Sequence, residues 1–259
     1  MHPILLTRGD RNSDIMGAVT QNIYDDPEFL AGYRTLPRSI DGLEGAPEWP
    51  SVRALVPDVA GKRVLDLGCG FGWFCRWAVD QGAATVDGID VSEAMLDEAR
   101  RHDNTRIEYR RADLEDVRFD TATFDVVYSA LALHYVERLP ELIQRIGDAL
   151  TPGGTFVTTV EHPIFSAPSR PAFTQGGSGL IWPLDRYLDE GARTTDWFVE
   201  GVVKQHRTIG TYVQAILDAG LTLTHLEEWG PSTDQVDAHP EWAGERDRPP
   251  FLILGAAKR

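Results

Sequence analysis

The sequence predicts an α/β fold in which helices pack on both faces of a mostly parallel sheet. Three observations point there. The stretch Lys62 to Asp90 reads as strand, glycine-rich turn, amphipathic helix and second strand, the length of one βαβ unit. Beyond it, short apolar runs keep alternating with helical stretches, which implies parallel pairing through right-handed crossovers. The chain has 259 residues and 42% hydrophobic content, enough for one large domain or a domain with a substantial insertion.

In chain order, residues 1–20 mix small, polar and charged types and read as a mobile arm. In Gln21–Leu36, Asp26 is a good helix N-cap ahead of Pro27, and Phe29, Leu30, Tyr33 and Leu36 share a face. Residues 37–50 are rich in Pro and Gly and read as a loop, in which Trp49 has no evident partner; a short helix over Ser51–Leu55 leads to a core beginning at Gly61. Val64–Leu67 is the first strand. The turn Gly68-Cys69-Gly70-Phe71-Gly72 follows, then a helix with Phe74, Trp77 and Ala78 on its apolar face. Thr85–Ile89 is the second strand, and Ser92 caps the next helix, which buries Ala94, Met95, Leu96 and Ala99. Strands are expected at Ile107–Arg110, Phe124–Ser129 and Thr155–Val160, with a helix over Leu139–Leu150. Residues 162–200 break the pattern: prolines, the run Gly176-Gly177-Ser178-Gly179, and the aromatics Phe173, Trp182, Tyr187 and Trp197. So long an insertion at a strand end is placed to cap a pocket, with the glycine run as hinge, or to serve as a dimerisation arm. Thr208–Ala219 is helical and ends at Gly220; Leu221–Trp229 and Phe251–Ala256 are the last strands, flanking a polar loop over Gly230–Pro250.

The glycine turn lets the backbone approach a ligand closely, and the helix after it aims its amides at that ligand. Asp90, ending the second strand, can accept from both hydroxyls of a ribose. A nucleoside-containing cofactor is therefore expected. The spacing is G-x-G-x-G, and Trp73 stands where a dinucleotide fold has its third glycine. Asp66, just before the loop, would repel a pyrophosphate but suits an ammonium group.

The loop VLDLGCGFG resembles motif I of the class I S-adenosylmethionine (SAM)-dependent methyltransferases. The resemblance continues in order from about Gly61 to Glu161. Asp90-Val91-Ser92 resembles the ribose-binding step and Ala112-Asp113-Leu114 the adenine-binding step. Phe124–Ser129 resembles the fourth strand and Leu150–Gly154 the turn before the fifth. It is nearest the type 11 group, which includes ubiquinone and menaquinone biosynthesis methyltransferases. Similar bacterial chains with E-H-P-[IV]-F and K-x-H-R-T segments are described only as methyltransferases. The resemblance implies a Rossmann-like seven-stranded sheet with its last strand antiparallel between the fifth and sixth. It implies SAM as cofactor and S-adenosylhomocysteine as product. It places Asp66, Gly68, Cys69, Gly70, Gly72, Asp90, Val91, Met95, Ala112, Asp113, Leu114 and Ser129 around the cofactor. Residues 1–60 are then an arm and helices closing over it, with Tyr24 and Tyr33 near the methionine end. Residues 61–259 form the methyltransferase domain, including the 162–207 cap.

Methyl transfer needs alignment and water exclusion, and a base where the acceptor carries a proton. His134 past the fourth strand, and Glu161 and His162 ending the fifth, are the candidates. Trp182, Tyr187, Trp197, His206 and Arg207 are candidates for holding the substrate, the last two through an anionic group. The net charge of −15 disfavours nucleic acid and anionic membranes. No Asn/Asp-Pro-Pro-Tyr/Phe motif follows the fourth strand, so a small molecule is expected, partly apolar or aromatic. The only cysteines, Cys69 and Cys75, read as packing residues in a reducing, cytoplasmic compartment, and no metal-ligand spacing occurs. There is no signal-peptide pattern and no membrane-length apolar run; a homodimer stays open. A non-catalytic SAM-binding module and an aminopropyltransferase remain alternatives, as does an NAD-dependent oxidoreductase, against which Trp73 and Asp66 weigh.

Overall fold

The structure, a computed structural model, describes residues 20–102, 104–177 and 179–259. Apart from Thr20, the arm read at residues 1–20 lies outside them, as does Ser178 of the glycine run. Short helices α1 (Pro27–Tyr33), α2 (Pro37–Ile40) and α3 (Trp49–Leu55) precede the sheet. Then come β1 (Arg63–Leu67), α4 (Trp73–Asp80), β2 (Thr85–Asp90), α5 (Glu93–Arg100) and β3 (Ile107–Arg111). They are followed by β4 (Phe124–Ala130), α6 (Leu139–Ala149) and β5 (Leu150–Glu161). The insertion holds α7 (Pro163–Ser166) and two antiparallel hairpins, β6 (Thr174–Gln175) with β7 (Leu180–Ile181) and β8 (Gly191–Trp197) with β9 (Val199–His206). The chain finishes with α8 (Ile209–Asp218), β10 (Leu221–Trp229), α9 (Thr233–Ala238) and β11 (Phe251–Lys258).

Seven strands form one sheet in the order β10-β11-β5-β4-β1-β2-β3. The pairs among β1 to β5 are parallel, and β11 runs antiparallel between β5 and β10. This is the expected Rossmann-like order. The chain leaves β1 toward β2 and β3, then returns to β4 on its other side, so the ligand crevice opens at the carboxyl ends of β1 and β4. Alternation along β1 splits the core. Leu65 and Leu67 join the cluster that contains Leu142, Ile146 and Ile216. Val64 joins Trp49, Val52, Phe74 and Ala78 on the other face. Asp66 has the parity of Val64 and meets Cys75 of α4.

Local signals fixed the helix starts. Asp26 accepts the amides of Glu28 and Phe29, Ser92 that of Met95 and Thr208 that of Thr211. Two expected loops are instead structured. Residues 37–50 contain α2, a 3-10 turn at Gly42–Gly45 and the first residues of α3. Trp49 opens α3, buried edge-on against Phe74 and Trp77 of α4. Residues 230–250 contain α9, started by a Ser232–Gln235 capping box, and a 3-10 helix over Pro240–Arg246. In both, proline sits at a helix's first turn, where it is tolerated, and the partners that hold the segment are distant in sequence.

Candidate active site

At the carboxyl ends of the parallel strands lies a cavity of about 440 Å³. Its first wall is the glycine turn. Gly68 has φ of +74°, and a Cβ there would collide with Ala132. Gly70 has φ of +52°, and its missing Cβ points into space with nothing within 4 Å. Gly72 serves packing instead: a Cβ there would strike the Tyr109 hydroxyl of β3. Asp90 ties the turn down, its carboxylate accepting the amides of Gly70 and Ser92 at 2.9 Å each. Those bonds leave lone pairs for a ligand.

Three acids face this end of the cavity: Asp66, Asp90 and Asp113. Burial raises the Asp90 carboxyl, against the lowering by its backbone donors. Asp66 goes further. Burial lifts it from 3.8 to about 7, against a bond from the Cys75 thiol, with the Asp90 charge adding to the rise. Asp113 accepts from the Thr20 hydroxyl at 2.9 Å and from the Glu115 amide. Cys69 and Cys75 are free, buried thiols, and burial pushes Cys69 up to about 11. Among the described residues, no three His, Cys, Asp or Glu side chains gather as a metal site.

The N-terminal segment runs over this end as a strap. Asp25 accepts from the Ser92 hydroxyl and the Ala94 amide. Gln21 bonds both Gly201 and Val203 of β9. Phe29 is fully buried, with Trp197 and Phe198 packed edge-on against it.

The cavity continues into an aromatic chamber reached by Tyr33, Trp49, Tyr128, Phe165, Trp197 and Phe251. The Tyr128 ring stacks on Phe74, with 3.7 Å between centroids. Tyr24 and Tyr135 share a 3.2 Å hydroxyl contact, and burial raises both phenols, so both stay neutral. His134 and Glu161 also stand in the cavity wall. The Glu161 amide donates to His134 Nδ1 at 3.4 Å, which leaves the ring proton on Nε2. Burial lowers His134 to about 4, offset in part by Glu161, so the ring is neutral near pH 7 and is a donor rather than a strong base. The Glu161 carboxylate pairs with Lys204, whose ammonium lies 4.7 Å from the Trp197 ring centre.

Of the residues singled out in the sequence, Tyr24, Tyr33, Asp66, Gly68, Cys69, Gly70, Asp90, Val91, Met95, Asp113, Leu114, His134, Glu161 and Trp197 come together in the cavity wall. The rest do not. Ser129 Oγ bonds the Leu67 carbonyl between β4 and β1, and Ala112 packs on the core. His162, read as a catalytic candidate, is fully buried as the cap of α7: Nδ1 accepts from the Ile164 amide and Nε2 meets Glu228 at 3.0 Å. His206, read as an anion binder, is held between Ser166 Oγ and the Tyr187 carbonyl, and burial lowers its pKa. Arg207 is turned onto the carbonyls of Val136 and Glu137. Trp182 bonds the Ile164 carbonyl, and the Tyr187 hydroxyl accepts from the Ile209 amide. Each makes its polar contacts within the fold, although Arg207 Nη1 stays buried without a partner among the described residues.

Four charged residues of the wall carry no sequence motif. Arg38 makes a two-pronged pair with Glu48, at 3.0 and 3.3 Å, over the Phe251 ring. Arg248 pairs with Glu245. Their only sequence signal was position in Pro-rich, aromatic segments. Leu131, also in the wall, has φ of +54°, a strained conformation for a branched side chain. It follows β4 and delivers Ala132 and His134 to the cavity.

Residues 64–154 match a family model described as a methyltransferase domain. A SAM-dependent methyltransferase from Mesorhizobium loti, solved as a crystal structure, is 50% identical, with a TM-score of 0.80 over 84% of this chain and 100% of that one. An uncharacterized protein of Haemophilus influenzae is 31% identical over 92% of this chain and 97% of its own length. A malonyl-[acyl-carrier protein] O-methyltransferase of Enterobacter lignolyticus is 37% identical over 109 residues, 42% of this chain and 43% of that enzyme.

Proposed function

Since the chain belongs to the SAM-dependent methyltransferases, we propose that its cavity takes SAM at the glycine-turn end and a small-molecule acceptor in the aromatic chamber. The residues suit that donor. Gly70 exposes backbone to the cavity, Asp90 keeps lone pairs for ribose hydroxyls, and the three acids suit an ammonium and a sulfonium and oppose a phosphate. When bound, SAM supplies an electrophilic methyl group on sulfur. Asp66 balances the ammonium, Asp113 accepts from the adenine amine, and Met95 and Leu114 give the base an apolar seat.

At the acceptor, neutral His134 offers Nε2–H to hold an acceptor oxygen, and Glu161 receives the proton that a hydroxyl or amine gives up. The strap and the β8–β9 hairpin act as the lid that keeps water out. The observation that supports this most is the continuity of the cavity, from Asp90 and Asp113 to Glu161 and His134. The acyl-carrier substrate of the Enterobacter relative is that enzyme's own, since the match spans less than half of it. Among the described residues no helix is long and apolar enough to cross a membrane.

The test is release of S-adenosylhomocysteine across a panel of phenols, amines and carbon acids. Glu161→Gln is expected to slow turnover by about 10²-fold or more while S-adenosylhomocysteine affinity holds. Full turnover in that variant would remove Glu161 from proton transfer.

A further inference from the structure

We propose that the acceptor is a carboxylic acid with a flat apolar body, and that Arg248 holds its carboxylate. This rests on reading the aromatic chamber as the acceptor site. Arg248 lies in the cavity wall and is only 8% exposed. Its guanidinium carbon is 4.4 Å from the ring centres of Phe165 and Trp182 and 5.3 Å from that of Phe173, so three rings fix the plane. Glu245 takes Nη2 with both its oxygens. Nε is buried and has no hydrogen-bond partner among the described residues. A buried N–H without an acceptor is unfavourable, and a planar guanidinium suits the two oxygens of a carboxylate.

The other two cations around the chamber are already matched. Arg38 has both oxygens of Glu48, and Lys204 has Glu161. Arg207 Nη1 is partnerless too but lies outside the cavity wall, so of the wall's own cations, Arg38 and Arg248, Arg248 is the one with a buried donor left unmatched. Glu48, Glu161 and Glu245 all stand around the chamber, so a single carboxylate suits it better than a dianionic phosphate.

Position adds to this. Phe251 pairs with Glu161 in the sheet, and Arg248 precedes it by three residues. β11 is three strand spacings from β1, about 14 Å, so the guanidinium stands across the site from the glycine turn. The carboxylate is a handle, remote from the atom that receives the methyl group. The rings of Phe165, Phe251 and Trp197 face the body between.

The probes are benzoate and its neutral isostere benzamide, titrated by ligand-observed NMR with and without S-adenosylhomocysteine. Benzoate is expected to bind about tenfold more tightly than benzamide or better, and Arg248→Gln to remove that preference while leaving S-adenosylhomocysteine affinity unchanged. Glu245→Gln, which removes the competing carboxylate, is expected to tighten benzoate about threefold or more, a gain that misfolding cannot produce. No benzoate binding, equal binding of the two probes, or unchanged benzoate affinity in both variants would overturn the proposal. The parallel S-adenosylhomocysteine titration reads the donor end by itself, so loss of the donor reading is seen separately from loss of the carboxylate site.

Discussion

Asp66 couples the cofactor end to pH. Its carboxyl moves from 3.8 in an open chain to about 7 when folded. Between those values the folded protein keeps a proton that the unfolded chain has lost, so this group makes stability fall as pH rises from about 4 to 7. Three pH units amount to on the order of 4 kcal/mol, fully present above pH 7. Asp66→Asn is therefore expected to stabilise the ligand-free protein at pH 8 by about 2–4 kcal/mol in urea unfolding, with little effect at pH 4. The same residue should set the pH dependence of binding. Only ionised Asp66 balances an ammonium, so S-adenosylhomocysteine affinity should rise about tenfold from pH 6 to pH 8 in the wild type and stay flat in Asp66→Asn. A flat wild-type profile would detach Asp66 from the ligand. Asp90→Ala is expected to cost about 1.5–3 kcal/mol of affinity, read by calorimetry. Gly70→Val should abolish binding, because its side chain meets no neighbour within 4 Å and a β-branched residue strains the turn at φ of +52°.

The strap and the β8–β9 hairpin meet through Gln21, which donates to the Gly201 carbonyl and accepts from the Val203 amide. Gln21→Ala should speed S-adenosylhomocysteine release several-fold in stopped flow while the melting temperature barely moves, since the bonds are exposed. An unchanged release rate would mean the strap does not gate the pocket. How legible each element was in the sequence follows from the range of its interactions. The glycine turn, Asp90 and the Ser92 cap are carried by residues within one βαβ unit, so the sequence displayed them, whereas the seven-strand order was legible only through the family resemblance. Trp49 looked partnerless because its partners lie on α4. Arg38, Glu48, Glu245 and Arg248 looked like loop residues because the sheet brings their segments together only in three dimensions. His162 looked reactive at a strand end and His206 looked like an anion binder, yet their ring nitrogens meet a backbone amide, a carbonyl and side chains that the folded insertion and Glu228 of β10 supply.

For the whole molecule, the net charge of −15 and the acids at the cavity's donor end act in one direction. They attract a cationic ligand and oppose polyphosphates, which supports the proposed SAM site over a dinucleotide one. The order β10-β11-β5-β4-β1-β2-β3 opens the crevice between the two halves of the sheet, with donor acids on the β1–β3 side and the chamber on the β5–β11 side. Calorimetric titration of the purified protein with S-adenosylhomocysteine, beside NADH, tests this arrangement most directly. One-to-one binding of S-adenosylhomocysteine in the micromolar range with no heat from NADH is expected. Binding of NADH with none of S-adenosylhomocysteine would contradict the assignment of the donor end and of every residue placed there.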